Sequence, residues 1–136
     1  MHEWALVDAI VKCAAQNARE NGFKKIDEVV IVLGDLQNAD EDCCRDIYNE
    51  LKPDLGPLMA NSAPVFERER TEFKCRACGA VIKYGDRDKL AHAEAEAIHF
   101  VPETAGIYIK CPACGGPDLE IIAGRGVYIR ELRGEK

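Results

Sequence analysis

The sequence predicts an α+β fold, two helices on a small three-stranded sheet with an inserted zinc-ribbon-like module, and three observations carry that expectation. Two cysteine knuckles, Cys75-Arg76-Ala77-Cys78-Gly79 and Cys111-Pro112-Ala113-Cys114-Gly115, are separated by 32 residues between Cys78 and Cys111. An apolar stripe at helical spacing begins at Glu3, and the β-branched run IDEVVIVL follows it at 26–33. Two further strand-like segments, 118–123 and 127–132, flank Gly124-Arg125-Gly126 beyond the second knuckle. The expected division is an α+β domain of residues 1–73 and 116–136 with a metal-binding module of 74–115 inserted into it.

The knuckles come first because their chemistry is the most specific. Two residues between cysteines let both sulfurs of one turn face the same point, and the glycine after each second cysteine permits the positive φ that closes the turn. Two such half-sites make one tetrahedral site of four sulfurs. Thiolates in that geometry select zinc or iron over magnesium or calcium, which want oxygen ligands. Disulfides or unmetallated thiols are the alternative reading. A structural metal of this kind explains how part of the chain folds and leaves its task open.

At 136 residues the chain is expected to form one compact domain, or one domain carrying a small metal-stabilised module. No long apolar run or signal peptide interrupts the charged amphipathic pattern, so a cytoplasmic protein without a membrane span is expected. Of the seven cysteines, Cys13, Cys43 and Cys44 lie outside the knuckles, within predicted helices. They read as reduced thiols, Cys13 as a small core residue. The formal net charge of -6, on a surface of mixed signs, argues against nucleic acid, which calls for a basic face.

Met1-His2-Glu3-Trp4 opens the chain. The bulky second residue implies retention of Met1, so the α-amine, the His2 amide nitrogen and the His2 imidazole can ligate a metal in adjacent chelate rings. Nitrogen ligands in a plane suit nickel(II) or copper(II), whereas zinc has no preference for that geometry. The plainer reading has His2 and Glu3 merely starting a helix, Glu3 complementing the positive end of its dipole.

From Glu3 the pattern is helical. Leu6, Ile10 and Cys13 follow one face, with Val7, Val11, Ala14 and Ala18 beside it, against Asp8, Lys12, Gln16, Arg19 and Glu20. Asn21-Gly22 supplies a C-cap. The run 26–33 is a strand with a well-buried later part, ended by Gly34. A second helix starts near Asn38 or Asp40, either of which can cap it, and carries Cys43, Ile47 and Leu51 on its inner face until Pro53 stops it. Residues 53–64 should form a turn, a short helical piece and a link. The charged run 65–73 suits an edge or exit strand leading into the first knuckle.

Between the knuckles, 81–84 reads as a strand and 86–98 as an exposed helix or semi-ordered arm. This module has few large apolar residues, so metal binding should supply much of its folding free energy, on the order of 10 to 16 kcal/mol for structural zinc in small peptides. His92 falls in the polar repeat and reads as a surface residue. His99, at the helix end before Phe100-Val101-Pro102, can cap that end or reach a metal elsewhere. Beyond Cys114, the segments 118–123 and 127–132 read as a hairpin packed with 26–33 in one sheet under the two helices.

The Met-His-Glu start on an amphipathic helix, the V-V-I-V-L-G strand ending at Gly34, the CxxCG and CPxCG pair and the terminal G-R-G-V-Y-I strand together resemble the HypA/HybF family of hydrogenase nickel-insertion proteins. The likeness covers essentially the whole chain, and the long spacer between knuckles resembles the archaeal branch. It departs from the family pattern around 53–64, which lacks a Gly-Thr after the second helix. The resemblance implies a cytoplasmic nickel metallochaperone that takes up Ni(II) at its amino terminus, works with the GTPase HypB and passes nickel to the [NiFe] hydrogenase large subunit. Mapped by residue, it makes His2 the principal nickel ligand, Met1 and Glu3 contributors and His99 an auxiliary ligand from the arm. Cys75, Cys78, Cys111 and Cys114 become ligands of a structural Zn(II).

The resemblance implies delivery by ligand exchange rather than catalysis. No nucleophile with its base, phosphate-cradling glycine loop or carboxylate pair stands out, so GTP hydrolysis belongs to a partner. Two other classes share the knuckles. A zinc-ribbon adaptor or nucleic-acid-binding module calls for basic and aromatic residues interleaved on the ribbon strands, which are sparse here. A rubredoxin-like electron carrier would bind iron and be red.

Overall fold

The computed structural model describes residues 3–37, 39–83 and 92–136. By contact the chain forms two compact units, one of Met1–Leu33, Ala39–Glu67 and Tyr128–Lys136, the other of Gly34–Asn38 and Arg68–Val127. The fold is mixed α+β, with two small sheets.

In the first unit, helix α1 spans Glu3–Glu20 and buries Val7, Ile10, Val11, Ala14, Ala15 and Ala18. Cys13 is exposed, which corrects its expected place in the core. At about 100° per residue, it lies too far round the helix from the arc that Val7, Val11, Ala14 and Ala18 define. The helix ends in a Schellman cap: Phe23 N donates to Ala18 O at 2.9 Å and Gly22 N to Arg19 O at 3.2 Å, with Gly22 at a φ of 76°.

Helix α2, Glu41–Leu51, is capped by Asp40, whose side chain accepts from Cys43 N at 3.1 Å. Its buried residues are Cys44 and Tyr48, and Cys43 is exposed, a second correction of helical phase. Pro53 sits in the 3-10 turn Lys52–Leu55 that ends the helix. The Tyr48 hydroxyl meets Ser62 Oγ at 2.6 Å, and Ser62 Oγ donates to Met59 O at 2.7 Å, so this buried polar pair is satisfied. Helices α1 and α2 pack on each other.

The sheet of this unit has the order β2-β1-β6, with β1 at Lys25–Gly34, β2 at Ala63–Glu69 and β6 at Val127–Glu135. Residues Val29 to Leu33 of β1 are buried without alternation, the pattern of a strand covered on both faces. Part of that cover is ionic. Arg130 of β6 forks onto Glu67 of β2 at 2.9 and 2.8 Å, and because β1 lies between those strands the pair spans it.

The second unit is built on β3, Glu72–Cys75, which pairs antiparallel with β4, Val81–Lys83, and with β5, Leu119–Ala123. Phe73 stands opposite Ile82 and Ile121. Phe73, Leu36, Ile98 and Ala105 make the core of this unit, with Tyr108, Ile109 and Leu119 packed around it. Helix α3, His92–Phe100, is therefore no exposed arm at its end, since Ile98 is fully buried. The expected beginning of that arm, 86–91, lies outside the described residues, as do Tyr84 and the His92 side chain. Residues Ala105–Tyr108 form a short helix α4 before the second knuckle.

The expected carboxy-terminal hairpin does not form. Strand β5 pairs with β3 and β6 belongs to the other sheet. The glycines between them serve a different partner: Gly34 N donates to Gly126 O at 2.8 Å and Leu36 N to Gly124 O at 3.1 Å. With its carbonyls used this way, the turn hands the chain from one sheet to another.

Candidate metal centre

Each knuckle folds as its spacing requires. Gly79 N donates to Cys75 O at 2.8 Å and Cys75 N to Ala80 O at 2.9 Å. In the second, Gly115 N donates to Cys111 O at 2.7 Å and Cys111 N to Gly116 O at 3.0 Å. Gly79 and Gly115 both take the left-handed conformation, φ 79° and 73°.

The two turns bring Cys75, Cys78, Cys111 and Cys114 together with all four sulfurs within 4.8 Å of one another. Cys75 and Cys114 are 3.6 Å apart, as are Cys78 and Cys111. Four thiolates about 2.3 Å from a tetrahedral zinc lie about 3.8 Å apart, so this donor set fits the ion. All four are free thiols rather than disulfides. Cys111 falls to about 7, first through the Cys114 backbone amide. At Cys114 the Gly116 amide lowers the value, but the sulfurs of Cys75 and Cys111 carry it up to about 12. Sulfurs this close need a cation before all of them can be thiolates.

The nitrogen ligands expected at the front of the chain are Met1 and His2, and both lie outside the described residues. Glu3 begins α1 and is buried, 8% exposed, with Oε1 3.4 Å from the Asp40 amide. That contact between the start of α1 and the cap of α2 has no signal in the sequence, since it joins residues 37 apart. Beside it, Trp4 is 52% exposed.

His99 stands in the last turn of α3, half-buried, with Nδ1 2.6 Å from Leu36 O. A carbonyl can only accept, so Nδ1 carries the proton and a metal would meet Nε2 in the neutral ring. The structure thus joins His99 to the 3-10 turn Asp35–Gln37, where Gln37 Nε2 also donates to Arg125 O at 2.8 Å. Sequence reading did not find Leu36 as its partner. Among the described residues, no helix is long and apolar enough to cross a membrane.

Comparison with known proteins matches residues 1–134 to the family model described as hydrogenase/urease nickel incorporation, metallochaperone, hypA. The hydrogenase maturation factor HypA of Pyrococcus furiosus is 42% identical over 137 residues, covering 100% of this chain and 97% of that protein. Its namesake in Pyrococcus horikoshii is 40% identical over the same shares. Among solved structures, the Ni metallochaperone HypA of Helicobacter pylori, in solution, superposes with a TM-score of 0.66 at 18% identity, covering 99% of this chain and 98% of that one. A second HypA solution structure gives a TM-score of 0.65, also at 18% identity, covering 98% and 96%. These two likenesses establish the fold.

Proposed function

The chain belongs to the HypA family, and on that footing we propose that it is a nickel metallochaperone, which binds Ni(II) at its amino terminus and delivers it for maturation of [NiFe] hydrogenase. It is a maturation factor and not an enzyme. The observation that carries this reading is the family match over residues 1–134, which takes in the amino-terminal segment and both knuckles. The adaptor and electron-carrier alternatives explain only the knuckles.

Nickel is the cargo, held by the Met1 amine, His2 and Glu3 with His99 as an auxiliary ligand. Nitrogen donors in a plane suit nickel and leave positions through which an acceptor's ligands can enter. Glu3 also anchors the start of α1, because its buried carboxylate meets the cap of α2. The Nδ1 bond from His99 to Leu36 supports the auxiliary role, since a metal-ligating histidine commonly donates its other ring nitrogen to a carbonyl or carboxylate. Cys75, Cys78, Cys111 and Cys114 hold a structural zinc, whose role is to close the two knuckles. Met1, His2 and Glu3 thus fall to the α+β domain, 1–73 with 116–136, and His99 and the zinc ligands to the 74–115 module.

The acceptor is the hydrogenase large subunit and the partner GTPase is HypB, both in the cytoplasm. The test is a nickel titration of the chain with no residue before Met1, against His2→Ala. The reading expects affinity to fall by at least tenfold in the variant, and unchanged affinity and geometry would remove its basis.

A further inference from the structure

We propose that the four-cysteine centre is a peroxide-responsive switch, in which Cys78 and Cys114 are oxidised first and Cys111 and Cys75 resolve them into two disulfides that take over from the metal. Cys75 and Cys111 are buried, 0% and 2% exposed, while Cys78 and Cys114 are open to solvent. A diffusing oxidant therefore meets one sulfur of each knuckle and not the other. Each exposed sulfur also lies 3.6 Å from a buried sulfur of the opposite knuckle, Cys114 beside Cys75 and Cys78 beside Cys111. An accessible thiolate next to a resolving cysteine is the arrangement that turns oxidation into a reversible disulfide instead of a sulfinic acid.

The chemistry balances with hydrogen peroxide as the named oxidant. Cys114, a thiolate while the cation is bound, attacks one peroxide oxygen, the O–O bond breaks, and the departing hydroxide takes a proton to become water. The Cys75 thiolate then attacks the resulting sulfenic sulfur, the S–S bond forms and a second hydroxide leaves, also as water. Two electrons pass from the sulfur pair to the peroxide. Cys78 and Cys111 repeat the sequence with a second peroxide. Together four thiolates, two peroxides and four protons give two disulfides and four waters, and the zinc ion departs for want of ligands.

Pairing across the knuckles decides whether the oxidised unit stays closed. Disulfides within each knuckle, Cys75 to Cys78 and Cys111 to Cys114, would leave the two turns unconnected. Cross-knuckle bonds tie the end of β3 to the second turn, as the ion does. The oxidised unit keeps its turns together, loses its metal and recovers when a thiol reductant and zinc return.

The test uses the zinc-loaded full chain with Cys13→Ser and Cys43→Ser, because those two thiols are also exposed. Hydrogen peroxide is added stepwise, zinc release is read with a chromogenic chelator, and the alkylated products are digested with trypsin and mapped by mass. Trypsin cuts after Lys74, Arg76, Lys83, Lys110 and Arg125, which separates Cys75 from Cys78 and leaves Cys111 and Cys114 on one peptide. The proposal expects one zinc released per two peroxides, with the peptide of Cys111 and Cys114 joined to those of both Cys75 and Cys78. It is overturned by retention of zinc in tenfold excess peroxide, by a Cys75–Cys78 link, or by sulfinic products without links.

Discussion

His99 on α3 donates from Nδ1 to the carbonyl oxygen of Leu36, 2.6 Å away and 63 residues earlier in the chain. The bond holds a turn whose Leu36 side chain belongs to the core of the second unit. Replacing His99 with Ala leaves that carbonyl without this donor and should cost about 1–3 kcal/mol. Urea unfolding checks the loss. If His99 also serves as an auxiliary nickel ligand, the same variant weakens nickel binding, but by less than His2→Ala does.

A β-carbon added at Gly34 would come within 2.6 Å of Gly126 O and nearer still to Gly124 O. Both obstacles are backbone, so neither can swing aside. Gly34→Ala should therefore destabilise by about 3 kcal/mol or more. Gly126→Ala meets nothing within 4 Å and makes the control, with an expected change of about 0.5 kcal/mol or less. Equal effects in thermal unfolding would contradict the close packing of these turns.

Asp40 caps α2 through its side chain and offers its amide to Glu3. Asp40→Ala removes the cap and should cost about 1 kcal/mol, while Asp40→Ser, which can still accept from the Cys43 amide, should lose only part of that. Because the backbone amide survives both changes, nickel affinity should stay within about twofold of the parent.

Stripping zinc with a chelator should lower the unfolding temperature of the second unit and be reversed by adding zinc back. The loss should be smaller than the roughly 10 kcal/mol or more that the ion supplies to small zinc-finger peptides, because Phe73, Leu36 and Ile98 give this unit a core of its own. Lowering the pH acts in the same direction, since protons compete with the ion for the thiolates. Hydrogen exchange at the β3 and β5 amides is the readout, and protection unchanged by metal removal would rule out a structural role.

What the sequence made legible was local. The CxxCG spacing alone puts the sulfurs of each knuckle side by side, the Asp40 cap and Gly22 stop announce themselves as residue types, and the run 26–33 could only be a buried strand. Helical phase was harder: Cys13 and Cys43 stand beside apolar residues in the sequence, yet Cys13 lies well round α1 from the buried arc of Val7, Val11, Ala14 and Ala18, and on α2 it is Cys44 and Tyr48 that are buried. Strand partners were not legible at all. Segments 118–123 and 127–132 have the spacing of a hairpin, yet the carbonyls between them are claimed by Gly34 and Leu36, residues about ninety positions away. Pairing across such separations depends on contacts that no short window contains, and the same holds for Glu3 with Asp40 and His99 with Leu36.

We propose that the front of the chain is itself the nickel-holding device, with the free α-amine among its ligands. Nickel binding should be measured by visible absorption and calorimetry on the chain beginning at Met1, and on the same chain with one glycine added ahead of it. The extension should abolish the absorption of planar nitrogen-bound nickel and weaken binding by tenfold or more, while the zinc content stays at one per chain. Identical spectra and affinities for the two proteins would contradict it.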